Sequence, residues 1–312
     1  MITMKAVRIH SYGGPEVLLY EDALRPQPSA GEILIRVHAA GINPVDWKIR
    51  EGHLKEKLHH KFPLILGWDV SGVVESIGPG VTLFKPGDEV FSRTDVSRDG
   101  AYAEFIVVKE SIVAPKPKSL DHVHSASLPL VGLTAWQSLF SAGGLSAGQR
   151  VLVHGAAGGV GSIAVQLAKW KGAHVIGTAS AKNQDFVRTL GADEVIDYDA
   201  VRFEEALCYV DVVFDTQGGE TQERSWKTLK PGGILVSIAA PPSKERAAAQ
   251  GVRSAFVFTE SNAGQLAEIA KLADAQKLKV IVDSVFSLAE ARQAQELSQR
   301  GHTRGKLALR VI

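Results

Sequence analysis

The chain has 312 residues, a formal net charge of +1, and 45% hydrophobic and 22% charged residues. This length favours two domains, and the composition is typical of a globular protein in water. No basic stripe is visible, so nucleic acid and membrane surfaces are not expected partners. No apolar run approaches the ~20 residues that cross a bilayer. The single cysteine, Cys208, excludes disulfide frameworks and multi-cysteine metal sites, and we expect a cytoplasmic location.

The first 120 residues are predicted to form β-strands. MITMKAVRIH alternates like a strand, and in EILIRVHAA the apolar residues at 33, 35, 37 and 39 share one face. DVSGVVESIG and YAEFIVVKE are similar runs. Turn residues separate them at Gly13-Gly14-Pro15, Gly78-Pro79-Gly80 and Lys85-Pro86-Gly87-Asp88. Short strands with tight turns predict a barrel or a sandwich.

After Leu120 the pattern changes to strands that alternate with helices. The predicted strands are RVLVHG, AHVIGTA, EVID, DVVFD, GILVSIA and SAFVFT. Helical segments such as VGSIAVQLAKWK, NQDFVRTL, RFEEALCY and NAGQLAEIAKLADAQK lie between or after them. This alternation predicts a doubly wound parallel sheet. KVIVDSVF, LAEARQAQELSQR and KLALRVI are predicted to return to the first domain, which gives limits of 1–121 with 279–312, and 122–278.

The segment Val151–Gly161, VLVHGAAGGVG, runs from a strand through glycines into a helix. It fits a dinucleotide fingerprint of the form A-x-G-x-x-G, in which Gly158 admits a pyrophosphate and Gly161 lets the helix pack on the strand. A helix N-terminus also attracts phosphate. The alternative is a plain strand–helix turn. The predicted cofactor-binding residues of this turn are Ala157, Gly158, Gly159, Val160 and Gly161.

The second strand of this sheet ends in GTASAKNQ, without the acidic residue that accepts from the ribose hydroxyls of NADH. Ser180, Lys182 and Asn183 stand there, and Arg188 follows in the next helix. A hydroxyl and an ammonium suit a 2′-phosphate, which a carboxylate would repel. The segment therefore favours NADPH, and the alternative is a solvated helix start.

VLVHGAAGGVGSIAVQLAKWKGAHVIGTAS, LGADEVIDY, GINPVDWKIREG and the final GHTRGKLALRV together resemble the zinc-independent quinone oxidoreductases of the medium-chain dehydrogenase/reductase superfamily. The resemblance covers nearly the whole chain. It implies a GroES-like β-rich catalytic domain, an inserted Rossmann domain of the α/β class that binds NADPH, and a cleft between them. It further implies that Tyr198 and Lys182 hold the 2′-phosphate. The residues implied near the nicotinamide are Thr134, Ile238, Ala239, Phe256 and Val257.

Zinc-using members of the superfamily carry Cys and Gly-His-Glu at their metal, where this chain has Asn43-Pro44-Val45-Asp46 and Gly67-Trp68-Asp69. Trp68 cannot be a ligand and no thiolate is near. We therefore predict no metal site. Trp68 and Asp69 are instead expected to shape the floor of the cleft.

Three residues are predicted to act on the substrate. Asn43 or Lys48 can donate a hydrogen bond to an oxygen that gains charge as hydride arrives, and Lys48 can also deliver a proton. His53 stands where many relatives have a tyrosine and can replace it as a donor. The alternatives remain open, because Asn43-Pro44 is a good turn former and Lys48 and His53 also fit solvated side chains.

The predicted function is an NADPH-dependent reductase that moves hydride to a small molecule, a quinone or an α,β-unsaturated carbonyl. The alternative is an NADPH-binding sensor or structural protein with little turnover. The strand SAFVFT ends the predicted sheet with an apolar edge, so a homodimer is expected. Cys208 is expected to be a small buried residue within a helix.

Overall fold

The computed structural model describes residues 2–312, and the chain divides into two compact units. The first unit runs to Leu130 and also includes Ser261–Gln276 and Val280–Ile312. The second comprises Val131–Glu260 and Lys277–Lys279. These units group residues by packing, and the domain limits given above stay a prediction. Over residues 2–312 no helix is long and apolar enough to span a membrane.

The strands are β1 Thr3–Ile9, β2 Leu19–Leu24, β3 Glu32–Ile42, β4 Leu64–Ile65, β5 Asp69–Ile77, β6 Glu89–Arg93, β7 Phe105–Lys109, β8 Val113–Pro115, β9 Arg150–Val153, β10 His174–Ala179, β11 Glu194–Asp197, β12 Val210–Asp215, β13 Leu229–Ser237, β14 Arg253–Phe256, β15 Val282–Ser287 and β16 Lys306–Arg310. The helices are α1 Pro44–Arg50, α2 His122–Ala126, α3 Pro129–Trp136, α4 Gly159–Trp170, α5 Gln184–Thr189, α6 Phe203–Ala206, α7 Gly219–Ser225, α8 Lys244–Ala249, α9 Ala263–Asp274 and α10 Ala291–Arg300. A π-helical segment, Gln137–Ala142, continues α3.

The first unit contains a small sheet of order β2-β1-β4 and a larger one of order β15-β16-β3-β5-β6-β8, with β7 also paired to β3. The predicted apolar face of β3 is confirmed, because Ile33, Ile35, Val37 and Ala39 are fully buried. β3 extends beyond the predicted strand because Ile42 pairs with Leu307 of β16. The end of β3, the start of β5 and the start of β16 therefore meet at one place.

The second unit contains a six-stranded parallel sheet of order β11-β10-β9-β12-β13-β14. This order is that of a doubly wound nucleotide-binding sheet and confirms the predicted fold. Val151, Leu152 and Val153 of β9 are fully buried, as expected for a central strand with helices on both faces.

The prediction was wrong for the segment around Cys208. Helix α6 ends at Ala206, and Leu207 adopts an extended conformation with φ −123° and ψ 141°. Tyr209 follows with φ +58°, which a continuing helix does not permit. Cys208 consequently lies outside the helix and is exposed.

Candidate active site

The glycine turn joins β9 to α4. Gly155 has φ +61°, in the left-handed region that favours glycine. A Cβ atom on Gly161 would lie 2.1 Å from the Gly155 carbonyl oxygen, so only glycine fits there. At Gly158 an added Cβ would meet only that same oxygen, at an ordinary 3.4 Å, and the space beyond is open. The first-turn N–H groups of α4 have no acceptor within the helix, so the turn fits a dinucleotide phosphate.

The residues predicted to hold the 2′-phosphate lie at one edge of the sheet. Ala179 pairs with Asp197, so the residues that follow β10 and β11 are neighbours, and the Tyr198 N–H donates to the Ala179 carbonyl over 3.4 Å. Lys182 and Tyr198 are exposed, and Asn183 Nδ2 donates to Ser180 Oγ over 3.3 Å.

Arg188, in the next helix, is paired with Asp185 at 2.8 Å. Ser180, Lys182 and Asn183 thus follow β10 beside Tyr198, which follows β11, and their contact with a 2′-phosphate stays a prediction.

The residues that the resemblance places near the nicotinamide follow β13 and β14. Ser237 pairs with Phe256, and the Val257 N–H donates to the Ser237 carbonyl over 2.9 Å, so the ends of the two strands lie side by side. Ile238 and Ala239 follow directly after β13. Thr134 Oγ1 lies 2.7 Å from Thr259 Oγ1, two residues beyond Val257. The structure groups these five residues, and their role stays a prediction.

Two polar residues beside the glycine turn were missed by the sequence analysis. Asp215 ends β12 and is fully buried, and its Oδ1 accepts from the backbone N–H groups of Gln217 and Gly218 over 2.9 Å. β12 lies next to β9, where the strand order reverses and nucleotides bind in this fold. His154 precedes the turn, and burial lowers its pKa to about 4, so it is neutral at pH 7. An acidic residue ending a strand at the reversal point could have indicated Asp215.

Asn43 lies where β3 gives way to α1. It occupies the N-cap position of α1, and Pro44 takes the first helical position, which its fixed φ suits. Asn43-Pro44 therefore forms the turn into α1, as the turn-forming interpretation predicts. This does not exclude the functional interpretation, because the same turn positions the Asn43 side chain. Asn43 is only 2% exposed. Its side chain belongs to a buried cluster of five residues that we call the polar centre: Asn43, Asp46, Asp69, Tyr102 and Lys306.

Hydrogen bonds within the polar centre hold the Asn43 carboxamide at both ends. Its Nδ2 donates to Asp69 Oδ2 over 2.9 Å, and its Oδ1 accepts from the Lys306 ammonium. The Asn43 backbone N–H donates to Asp46 Oδ2, and the Tyr102 hydroxyl donates to the same oxygen, each over 2.8 Å. The orientation of the carboxamide is therefore defined by a cation on one side and a carboxylate on the other.

Burial dominates the electrostatics of the polar centre. It raises the pKa of Asp46 to about 7 and that of Asp69 to about 6, against the lowering effect of the Lys306 ammonium and of hydrogen bonds to each carboxylate. Burial lowers the pKa of Lys306, and the two carboxylates oppose that change. Burial and the neighbouring Asp46 raise the pKa of Tyr102, which stays protonated and donates. Burial therefore favours the protonated forms of Asp46 and Asp69 more than it would for exposed carboxyl groups.

Lys48 and His53 lie outside the polar centre. Lys48 is exposed on α1, with its Nζ 5.6 Å from the centre of the Trp47 ring. His53 is also exposed, and its Nε2 lies 3.6 Å from Glu51 Oε2. Their proposed contact with substrate stays a prediction, and neither contacts Asn43.

The donor set at the position of the zinc site does not suit zinc. Trp68 is 3% exposed and donates its indole N–H to the Arg98 carbonyl, 2.9 Å away. Beside it, the polar centre offers two carboxylates and an amide, with the ammonium of Lys306 bound among them, and no thiolate or imidazole. Across residues 2–312, no three His, Cys, Asp or Glu side chains are arranged to hold a metal ion.

Comparisons with known proteins place both parts of the chain. Residues 29–118 match the alcohol dehydrogenase GroES-like domain, and residues 190–309 match the family described as zinc-binding dehydrogenase. The mouse mitochondrial NAD(P)H oxidoreductase RTN4IP1 is 37% identical, covering 99% of this chain and 89% of its own. Rat quinone oxidoreductase is 35% identical, covering 99% and 97%.

A solved structure, the quinone oxidoreductase from Coxiella burnetii, has a TM-score of 0.93 and 36% identity, and the match covers 100% of both chains. The fold is therefore a GroES-like domain with a parallel-sheet nucleotide-binding domain. This chain belongs to the zinc-independent quinone oxidoreductase family of the medium-chain dehydrogenase/reductase superfamily.

Proposed function

We propose that this oxidoreductase uses NADPH to reduce a quinone or the carbon–carbon double bond of an α,β-unsaturated carbonyl. Membership of the family makes the chain a nicotinamide-dependent oxidoreductase; the choice of NADPH and of a conjugated acceptor is our proposal. The observation that carries the proposal is the Asn43 carboxamide, a neutral donor held between Lys306 and Asp69.

The chemistry of the acceptor follows from the strength of that donor. When bound, NADPH supplies the hydride. Hydride addition to a plain ketone builds a localised alkoxide, which a Lewis acid stabilises well. Addition to a conjugated carbon or a quinone ring spreads the charge into an enolate or a quinol. A preorganised amide N–H at Asn43 can stabilise that delocalised charge, and such a contact is worth about 3–4 kcal/mol in a dry site.

The cofactor preference depends on the end of β10. The strand ends at Ala179, and the residues beyond it provide a hydroxyl, an amide and an ammonium rather than a carboxylate. Across the sheet edge, Tyr198 adds a phenol. These groups suit a 2′-phosphate. We accordingly assign the 2′-phosphate of NADPH to Ser180, Lys182, Asn183 and Tyr198.

The test is a product assay with NADPH and an enone that also carries a reducible carbonyl, run beside a panel of quinones. We expect the saturated ketone, or the quinol. If the allylic alcohol dominates, the polarising group is not the one proposed here. If NADPH binds tightly but none of the acceptors is reduced, the chain is better described as a nucleotide sensor.

A homodimer and a cytoplasmic location complete the proposal. β14 is the edge of the parallel sheet, and Phe256 and Phe258 at its end are 40% and 55% exposed. An apolar sheet edge of this kind is suited to pairing with a second copy. Light scattering coupled to gel filtration tests the dimer. The cytoplasmic location rests on the single cysteine alone, and localisation of a tagged chain tests it.

A further inference from the structure

Lys306 is a buried lysine that the sequence analysis did not single out. It begins β16, is 5% exposed, and its Nζ donates to the Ile42 carbonyl and to Asn43 Oδ1, 263 residues away in the sequence. A lysine is almost never fully buried unless it is paired. Two carboxylates of the polar centre, Asp46 and Asp69, supply the compensating charge.

The ammonium has two effects on the carboxamide of Asn43. It binds Oδ1 while Asp69 accepts from Nδ2, so a flipped amide would place Nδ2 against a cation and Oδ1 against a carboxylate. A positive charge on Oδ1 also draws electron density from Nδ2 and makes its N–H groups stronger donors.

One N–H group of this amide has no acceptor among the described residues. Nδ2 carries two hydrogens, and within residues 2–312 Asp69 is the acceptor that the structure gives it. The second N–H therefore has no protein acceptor among these residues, and its donation to a substrate oxygen is part of the proposal.

We propose that Lys306 is a positioning residue, whose ammonium fixes and polarises the Asn43 carboxamide so that its second N–H can donate to the substrate oxygen. The proposal rests on the role proposed above for Asn43. Zinc-using relatives hold their metal at the segments that match residues 43–46 and 67–69. In this chain the positive charge beside those segments is assigned to the Lys306 ammonium. A lysine that served only to anchor β16 to β3 would affect folding and leave the reactivity of Asn43 unchanged.

The kinetic test is a double-mutant cycle of Lys306→Met and Asn43→Ala, with a quinone and an enone as acceptors. Lys306→Met alone should lower kcat by about 10- to 100-fold, less than the roughly 100- to 1000-fold cost of removing a preorganised donor outright. KM and NADPH affinity should change less than threefold. In the Asn43→Ala background, Lys306→Met should lower kcat no further. Independent, multiplying effects would overturn the proposal, as would an unchanged kcat in Lys306→Met.

A second readout does not depend on turnover. The side-chain amide resonances of Asn43 are assigned as the pair lost in Asn43→Ala. In the unsubstituted protein they should be shifted downfield and exchange slowly with solvent, and in Lys306→Met they should move toward ordinary amide values. Resonances that stay in place would show that Lys306 does not polarise Asn43. If the protein reduces neither acceptor, the proposed function fails, and this spectrum still decides the role of Lys306.

A third experiment controls for the possibility that Lys306→Met does not fold. Lys306→Met leaves two buried carboxylates without their cation, and the double variant Lys306→Met/Asp46→Asn leaves only one of them, Asp69. Asp46→Asn alone, which keeps Lys306, is its reference. We expect kcat of the double variant to be at least tenfold below that reference when both are assayed well below their measured unfolding temperatures. Equal kcat values would contradict the proposal.

Discussion

The two candidate regions of this protein differ in how far their polar groups are buried. In the polar centre, Asn43 and Lys306 are buried and already bonded to one another. At the sheet edge, Lys182 and Tyr198 are exposed to solvent. Buried charges must be paired as the protein folds, whereas exposed ones can exchange water for a ligand. We call the buried polar centre the preorganised region and the exposed sheet edge the adaptable region.

The largest effect is expected from a substitution in the preorganised region. Asn43→Ala should lower kcat by about 100-fold or more, because a donor that strengthens in the transition state is lost, and should change KM little. Steady-state kinetics with a quinone and an enone measure it. Asn262→Ala is the matched control, since Asn262 also caps a helix, with its Oδ1 accepting from the Gln265 N–H at 2.9 Å. A rise in KM at constant kcat would mean that Asn43 only binds substrate.

Substitutions at two glycines of the turn distinguish an effect on cofactor binding from an effect on stability. Gly161→Ala places a methyl 2.1 Å from the Gly155 carbonyl oxygen, so the free energy of unfolding should fall by ~1–3 kcal/mol. Gly158→Ala meets that oxygen at 3.4 Å and has an ordinary φ of −78°, so stability should change little. Its methyl would take up the space assigned to the phosphates, and NADPH affinity should fall more than tenfold. Denaturant titration and NADPH fluorescence separate the two effects; unchanged affinity in Gly158→Ala would contradict the phosphate assignment.

Lys182→Ala tests cofactor recognition in the adaptable region. NADPH binding should weaken by ~1–3 kcal/mol, the range for losing a charged hydrogen bond, while NADH binding stays nearly constant. Fluorescence titration with both cofactors measures this. Lys169→Ala is the control, because Lys169 is an exposed lysine of the last turn of α4 that pairs with Asp193 at 2.5 Å. Equal losses for both cofactors would show that Lys182 does not recognise the 2′-phosphate.

The fold could be predicted from the sequence because its signals are local. The alternation in β3 and the glycines between β9 and α4 need only a few neighbouring residues. The polar centre could not be predicted, because Asn43 meets Asp69 across 26 residues and Lys306 across 263. Only the pairing of β3 with β5 and β16 brings these residues together. Burial likewise gives Lys306 its role, and a lysine that begins a strand carries no local sign of burial.

A further effect is expected in the pH dependence of stability. The pKa of Asp46 is raised to about 7, above its value of about 4 in an unfolded chain. The folded state therefore binds this proton more tightly, and the stabilisation is lost as pH rises from about 4 to about 7. Against Asp46→Asn, the protein should lose up to ~1.4 kcal/mol per pH unit in that window. Denaturant titrations at several pH values measure it, and a difference independent of pH would mean that Asp46 is ionised throughout.

The smallest expected effect is that of chelators on activity, which should be none. A catalytic zinc is usually held by three protein ligands that include cysteine or histidine. The position of the zinc-binding histidine is Trp68, whose indole is engaged with the Arg98 carbonyl. The ammonium of Lys306 is bound to Asn43 and would repel a second cation. Prolonged EDTA treatment followed by elemental analysis and an NADPH oxidation assay tests this. Stoichiometric zinc whose removal abolishes activity would show that the polar centre rearranges to hold a metal, and the charge assigned to Lys306 would have to be reassigned to that ion.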